Sequence, residues 1–374
     1  MSNHRGSRDS ALAAGVSDMV GATGMGGPLR VLLLAPADAS APRDTTLTML
    51  SQTSSAEQAG EELYKVRLVN THRTGSRWSR LKQYAHSMLC LGDRGENVDT
   101  MLVQIESLGS LWLQFVPSLI AARFYHRRLV ARVCLPTSDQ QLPIFGKLLR
   151  LLLSSADVVV TTSDWEGMVL KRQGIDSTVI APVLETGVAR TNAPLQPHLV
   201  VHIRRWSRSD LAFILRAFTI VKQKYPRTEL SIAASPTVRL RVESFIRGER
   251  LAGDRGVAVM GDDQISELWT RGDICICSPA DNSFPFDLTE AWQNGIPAIV
   301  PGFGAAASQV RDHDNALIYS TSNSALLADR ILELVENPDL VGRLSDQGRI
   351  EARRFSWSVV RSQWWRALSH SDIS

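Results

Sequence analysis

Residues 282–297, NSFPFDLTEAWQNGIP, place two carboxylates three positions apart behind an aromatic Phe-Pro-Phe corner. Asp287 and Glu290 at that spacing predict a helix opening near Leu288. The Asp would accept from first-turn amides and the Glu would reach back to close a capping box. Gly295 and Pro297 stop the helix. A second chemistry competes for the same residues. The unpaired amides and positive dipole end of a helix start suit a diphosphate, and the two oxygens of Glu290 match the vicinal hydroxyls of a ribose. The two uses are partly exclusive, because a Glu folded onto its own helix end cannot face a ligand. Arg204 ends the apolar run HLVVHIRRW, either as a phosphate-neutralising arginine or, with Arg205, as a solvent-facing pair. His202 in the same run reads as a satisfied structural histidine.

These residues need an α/β scaffold, and the chain supplies its rhythm. Apolar runs at 28–36, 99–107, 127–135 and 155–163 alternate with helical patterns at 111–126 and 143–155, as expected of a layered parallel sheet. A helix from Trp165 to Gly174 and a last strand STVIAPV follow. Turn formers from Leu184 to Pro197 mark a hinge. The pattern then restarts with strands at 198–206, 228–235, 256–261, 273–279 and 297–302, helices between them, and two long amphipathic helices, Ser324 to Ala352 and Trp357 to Leu368. In an open α/β sheet, ligands bind beyond the carboxyl ends of the strands, which is where the helix near Glu290 begins.

At 374 residues and 44% apolar content the chain exceeds the usual single-domain size and can fill two cores. No apolar run reaches the length of a bilayer span; the nearest, Ser107 to Ala122, contains Gln114 and Pro117. Residues 1–27 read as a flexible tail without a signal-peptide core, which predicts a cytoplasmic protein. Cys90, Cys134, Cys275 and Cys277 are too few and too apolar in setting for a disulfide framework; the last two share one strand face as reduced thiols. A net charge of +3 and the lack of an aromatic-basic pattern argue against nucleic acid. Arg123, His126, Arg127, Arg128, Arg132, Lys147 and Arg150 lie among apolar residues, as a solvated face or a contact with an anionic membrane surface. Trp292, Trp357, Trp364 and Trp365 read as packing residues rather than sugar platforms.

The segment from Asn282 to Glu290, with Phe284, Pro285 and Gly295-Ile296-Pro297 in place, resembles the E-x7-E segment of family-4-type retaining glycosyltransferases. The resemblance extends to the Gly261 strand end with its Leu-Trp helix, the strand ending in Ser278-Pro279, PAIVPGFGAAASQV, HDNALIY and ARRFSWSVV. It covers roughly residues 95 to 370, most strongly after 200. It implies a GT-B fold: two Rossmann-like domains facing a cleft, at 28–185 and 198–356, with the helix 357–374 returning to the first. It also implies a UDP- or GDP-linked nucleotide-sugar donor as substrate, no cofactor and no metal, and a glycan or lipid-linked acceptor on the N-terminal side. By position, Glu290 would hold the donor ribose. Ser283, Phe284, Pro285, Phe286, Asp287 and Leu288 would line the diphosphate, Arg204 would neutralise it, and Gly304 would close near the donor.

The sequence departs from the family at defined places. Asn282 stands where the family has the first Glu, with Asp281 beside it as a substitute acid; these two are the candidate catalytic residues. Ser209 stands at the phosphate-binding lysine, with Arg208 adjacent as a replacement. The loop ADASAPRDTT after the first strand has no glycine, and VCLPTSD has no histidine. Asp287 replaces a small residue, and a carboxylate there weakens anion binding by about 0.3 to 1 kcal/mol. The reading is a glycosyltransferase for bacterial surface polysaccharide; the alternative is a catalytically silent homologue that binds nucleotide-sugar or regulates a partner.

Overall fold

A computed structural model describes residues 29–35, 64–70, 98–106, 108–134, 149–184, 197–248, 256–279, 284–321 and 323–369. Residues 1–27, most of the hinge, the glycine-free loop, Cys90, Pro136, Lys147, Asp281, Asn282 and Ser283 lie outside the described residues.

Among the described residues, two six-stranded sheets, both wholly parallel, organise the chain. The first runs in the order β2-β1-β3-β4-β5-β6, built from β1 (Leu29–Ala35), β2 (Tyr64–Asn70), β3 (Thr100–Ile105), β4 (Arg128–Val133), β5 (Val158–Thr161) and β6 (Thr178–Val179). Helix α1 (Val116–Phe124) covers one face and α2 (Asp164–Arg172) follows β5. The second sheet has β7 (His198–Ile203), β8 (Glu229–Ala234), β9 (Val257–Gly261), β10 (Ile274–Ile276), β11 (Ala298–Pro301) and β12 (Leu317–Tyr319), in the order β12-β11-β10-β7-β8-β9. The chain therefore lays β7, β8 and β9 outward, then crosses back to place β10 on the other side of β7. That reversal is the topological switch point of a doubly wound sheet, and ligand crevices open there. Helices α3 (Arg208–Lys224), α4 (Arg239–Gly248), α5 (Ile265–Arg271), α6 (Phe286–Gln293), α7 (Gly304–Ala307), α8 (Ser324–Glu336) and α9 (Pro338–Ala352) cover it.

Strands β3, β4, β7, β8 and β11 are buried along nearly their whole length, which is why they read as largely continuous apolar runs rather than alternating ones. Leu199, Val201, Leu230 and Ile232 pack under Ile214, Phe218 and Ile331, while Val200, Cys275, Ala298 and Val300 pack on the other side with Leu288, Trp292 and Phe355. The last helix, α10 (Trp357–Leu368), leaves the second sheet and buries Val360, Trp364 and Leu368 against Val31, Leu33, Leu102, Val130 and Val160 of the first. Thr100 Oγ1 donates to the Leu368 carbonyl at 2.8 Å, tying the helix end to β3.

Several expectations are corrected. The single helix from Ser324 to Ala352 is two, α8 and α9, because Asn337 leaves helical geometry, caps Leu340 N through its side chain at 3.0 Å and precedes Pro338. The helical run at 111–126 opens with a π turn at Leu111–Phe115 ahead of α1, with Pro117 in the first turn of α1. Arg132 does not join the basic face. It is fully buried, its Nη1 donates to Gln104 Oε1 at 3.2 Å, and its guanidinium lies 5.9 Å from the Trp364 ring. The strand YKVRLVN, β2, lies outside the apolar runs that the sequence marks.

Candidate functional site

The site forms where the ends of β7 and β9 meet the start of α6. Strand β7 delivers His202 inside the sheet end and Arg204 at its rim; the turn after β9 delivers Asp262; α6 delivers Asp287 in its first turn and Glu290 one turn later. His202 is buried between two carboxylates, with Nε2 2.8 Å from Asp262 Oδ1 and Nδ1 3.2 Å from Asp287 Oδ1. Arg204 Nε donates to His202 Nδ1 at 3.1 Å and its Nη2 donates to Asp287 Oδ1 at 3.2 Å.

The expected capping box is absent, and the correction has a physical cause. Helix α6 begins at Phe286, not near Leu288, with Pro285 at the N-cap and no side-chain cap. Both carboxylates leave the helix end because stronger donors lie elsewhere. Asp287 turns to Arg204 and His202. Glu290 Oε2 accepts from the buried Trp269 Nε1 at 2.7 Å, and its Oε1 lies 3.9 Å from Arg204 Nη2. A charge-assisted bond to a guanidinium outweighs a bond to one peptide amide. The Arg204 guanidinium also lies over the Phe286 ring, 4.6 Å from its centroid, a cation–π arrangement. Arg204 is thus clamped between two acids of one helix, rather than standing in solvent with Arg205.

The aromatic corner is structural support. Phe284 is buried, edge-on to Phe286 at 4.7 Å and to Phe355 at 5.7 Å. Leu288 is buried beneath the first turn. Gly304 opens α7 with φ of +80°, in the left-handed region that favours glycine. Arg208 heads α3 but its guanidinium lies over Phe245 of α4 at 5.6 Å. The Ser209 hydroxyl is 3.1 Å from Ser207 Oγ and donates to Asp210. Both residues thus turn to partners outside the cluster. Cys275 and Cys277 are buried free thiols beneath α6; the neighbouring Cys277 and burial push the Cys275 thiol well up from its ordinary value. Trp292 is core, donating Nε1 to the Asn315 carbonyl at 2.8 Å. Among the described residues no group of three or more His, Cys, Asp or Glu is placed to hold a metal ion.

Sequence reasoning missed His202 as a member of this cluster, and Asp262 altogether. A positional signal existed: both stand at or just beyond the carboxyl end of a strand of the second sheet.

Two parallel doubly wound sheets in one chain, joined by a C-terminal helix that returns to the first, define the GT-B class of fold. The structure of Anabaena Alr3699/HepE in complex with UDP and glucose superposes with a TM-score of 0.67, covering 92% of this chain and 100% of that one at 17% identity. Residues 188–351, most of them in the second unit, match the family model for glycosyl transferases group 1. The putative glycosyltransferase EpsD of Bacillus subtilis is 26% identical over 144 residues, 38% of this chain and 37% of that protein. A phosphatidyl-myo-inositol mannosyltransferase of Mycobacterium tuberculosis is 27% identical over 183 residues, 46% of this chain and 47% of that protein. The chain spans less than half the length of these two curated relatives.

Proposed function

We propose that the chain transfers a sugar from a UDP- or GDP-linked donor to a glycan or lipid-linked acceptor, with retention of configuration, in bacterial surface polysaccharide synthesis. The observation that carries this reading is the placement of Glu290. Its carboxylate is drawn off its own helix end and fixed by Trp269 at a doubly wound switch point, with Arg204 3.9 Å away. A carboxylate so placed grips a ribose diol while the adjacent guanidinium and the first-turn amides of α6 take the diphosphate. Similarity to a protein solved with UDP and glucose supports a nucleotide-sugar as the ligand.

In this reading Gly304 and its turn approach the transferred sugar, Asn282 bonds a sugar hydroxyl, and Asp281 supplies the negative charge that Asn282 lacks. A donor phosphate oxygen accepts the proton of the attacking hydroxyl, with a backbone carbonyl near Pro136 or Gly304 assisting, and juxtaposition of the two substrates supplies most of the rate. No metal or further cofactor is required. The first unit supports a peripheral contact with an anionic membrane. Trp112, Leu113, Ile120, Phe124 and Leu151 are exposed large apolar side chains, and residues 108–128 carry three arginines and no acid. No helix among the described residues is long and apolar enough to cross a membrane.

The test is a thermal-shift panel of UDP, GDP, ADP and their sugars. A ligand at a hundred times its dissociation constant adds about 2.7 kcal/mol. Glu290→Ala is expected to abolish the shift, and a shift that survives the substitution refutes the site. A second reading, a silent homologue that binds donor for a partner transferase, is favoured by the neutral Asn282. Binding without transfer or hydrolysis by the purified chain, with transfer restored by a co-purifying protein, would establish it.

A further inference from the structure

The donor reading leaves Asp287 unexplained. A phosphate seat is built from positive groups, yet here a carboxylate in the first turn of the seat's own helix occupies its arginine. Asp287 is buried and its Oδ1 lies 3.2 Å from both Arg204 Nη2 and His202 Nδ1. Helix α6 has no side-chain cap, so Asp287 is not there to hold the helix start. Three carboxylates, Asp262, Asp287 and Glu290, surround one guanidinium and one imidazole. A phosphate oxygen that approaches Arg204 Nη2 must therefore come close to Asp287 Oδ1, or push it aside.

We infer that Asp287 is a resident anion of the phosphate seat, occupying Arg204 when the site is empty and discriminating between donor and spent nucleotide by their charge. The inference rests on the donor-site reading above. Repulsion from a fixed carboxylate scales with the charge of the group that approaches it. The diphosphate of a nucleotide-sugar has no terminal phosphate and carries about two negative charges across the working range. A free nucleoside diphosphate gains about one more above roughly pH 6, where its terminal phosphate releases a second proton. Asp287 thus weakens the product more than the donor, and affinity lost in this way is expressed mostly as faster dissociation. Its role is selectivity and product discharge. It positions Arg204 and does not take part in bond making.

The experiment compares wild type with Asp287→Asn, and with Asp287→Ser as a second variant, after thermal melts show that each is folded. Dissociation constants for UDP, UDP-glucose and uridine are measured by calorimetry at pH 8 and pH 5.5, with GDP and GDP-mannose run in parallel. The quantity read is the ratio of the diphosphate constant to the sugar-diphosphate constant within one preparation, which a general loss of stability does not move. At pH 8 the substitution is expected to tighten the free diphosphate about tenfold relative to its sugar conjugate. At pH 5.5 the gain should shrink to roughly threefold or less, as the terminal phosphate protonates; uridine should be unaffected. A ratio that Asp287→Asn leaves unchanged at pH 8, or changes equally at both pH values, overturns the inference while the donor site stands. If none of the four nucleotides binds wild type or variant, the donor-site reading falls and the inference with it.

Discussion

Glu166 makes the stability of the first unit depend on pH in a direction opposite to that of most carboxylates. It stands in the first turn of α2, where Ser163 Oγ accepts from Glu166 N at 3.2 Å. Its Oε2 accepts from Thr162 N at 2.9 Å and from the Thr162 hydroxyl, while Oε1 is buried with no hydrogen-bond partner. Burial pushes the acid up from 4.5 to about 7, against the Thr162 bonds and the attraction of buried Arg132. Between those two values the native state holds a proton that the unfolded chain has released. Stability is therefore greatest below the unfolded value, falls as pH rises through the window, and levels off above the folded value. The displacement is worth roughly 3 kcal/mol across the window.

The perturbation is Glu166→Gln, which keeps the shape and an acceptor for Thr162 but cannot ionise. Urea unfolding of wild type and variant at pH 5, 6, 7 and 8, followed by tryptophan fluorescence, isolates this one group because all others cancel in the difference. Wild type is expected to lose up to about 3 kcal/mol relative to the variant between pH 5 and 8. A difference that stays flat across the four pH values, or grows in favour of wild type, refutes the reasoning. Either result would mean that Arg132 and Thr162 outweigh burial.

Two further outcomes are expected. Trp269→Phe removes the donor 2.7 Å from Glu290 Oε2 and should cost about 1 to 3 kcal/mol in chemical denaturation; it should also weaken UDP or GDP binding in the same thermal-shift assay, whereas unchanged affinity would detach Trp269 from the site. Wild type should sediment with vesicles containing phosphatidylglycerol more than with pure phosphatidylcholine. The pair Ile120→Asp and Phe124→Asp should abolish this without changing nucleotide binding, and equal sedimentation with both vesicles would refute an anionic contact.

The fold was legible because burial on both faces writes central strands as unbroken apolar runs, and among the described residues eleven of the twelve strands fall inside runs or motifs that the sequence singles out. The exception, β2, alternates Tyr64, Val66 and Leu68 with Lys65 and Arg67. Among the described strands it sits at the edge of its sheet, whereas the unbroken apolar runs belong to central strands such as β3, β4 and β7. Arg132 failed in the opposite sense. A charge in an apolar run reads as surface, whereas Gln104 of β3 and Trp364 of α10 receive it in the interior. The candidate site shows the same limit more sharply. Asp287 and Glu290 stand at capping-box spacing, but spacing along one helix specifies only what a side chain can reach locally. The donors that won are Arg204, 83 positions away, and Trp269, 21 positions away. They were brought there by the crossover from β9 to β10, which puts the end of β7 beside the start of α6. The polar residues at the ends of successive parallel strands, His202, Arg204 and Asp262, meet the α6 acids there. The switch point fixes the meeting place even where local pattern misjudges the partners.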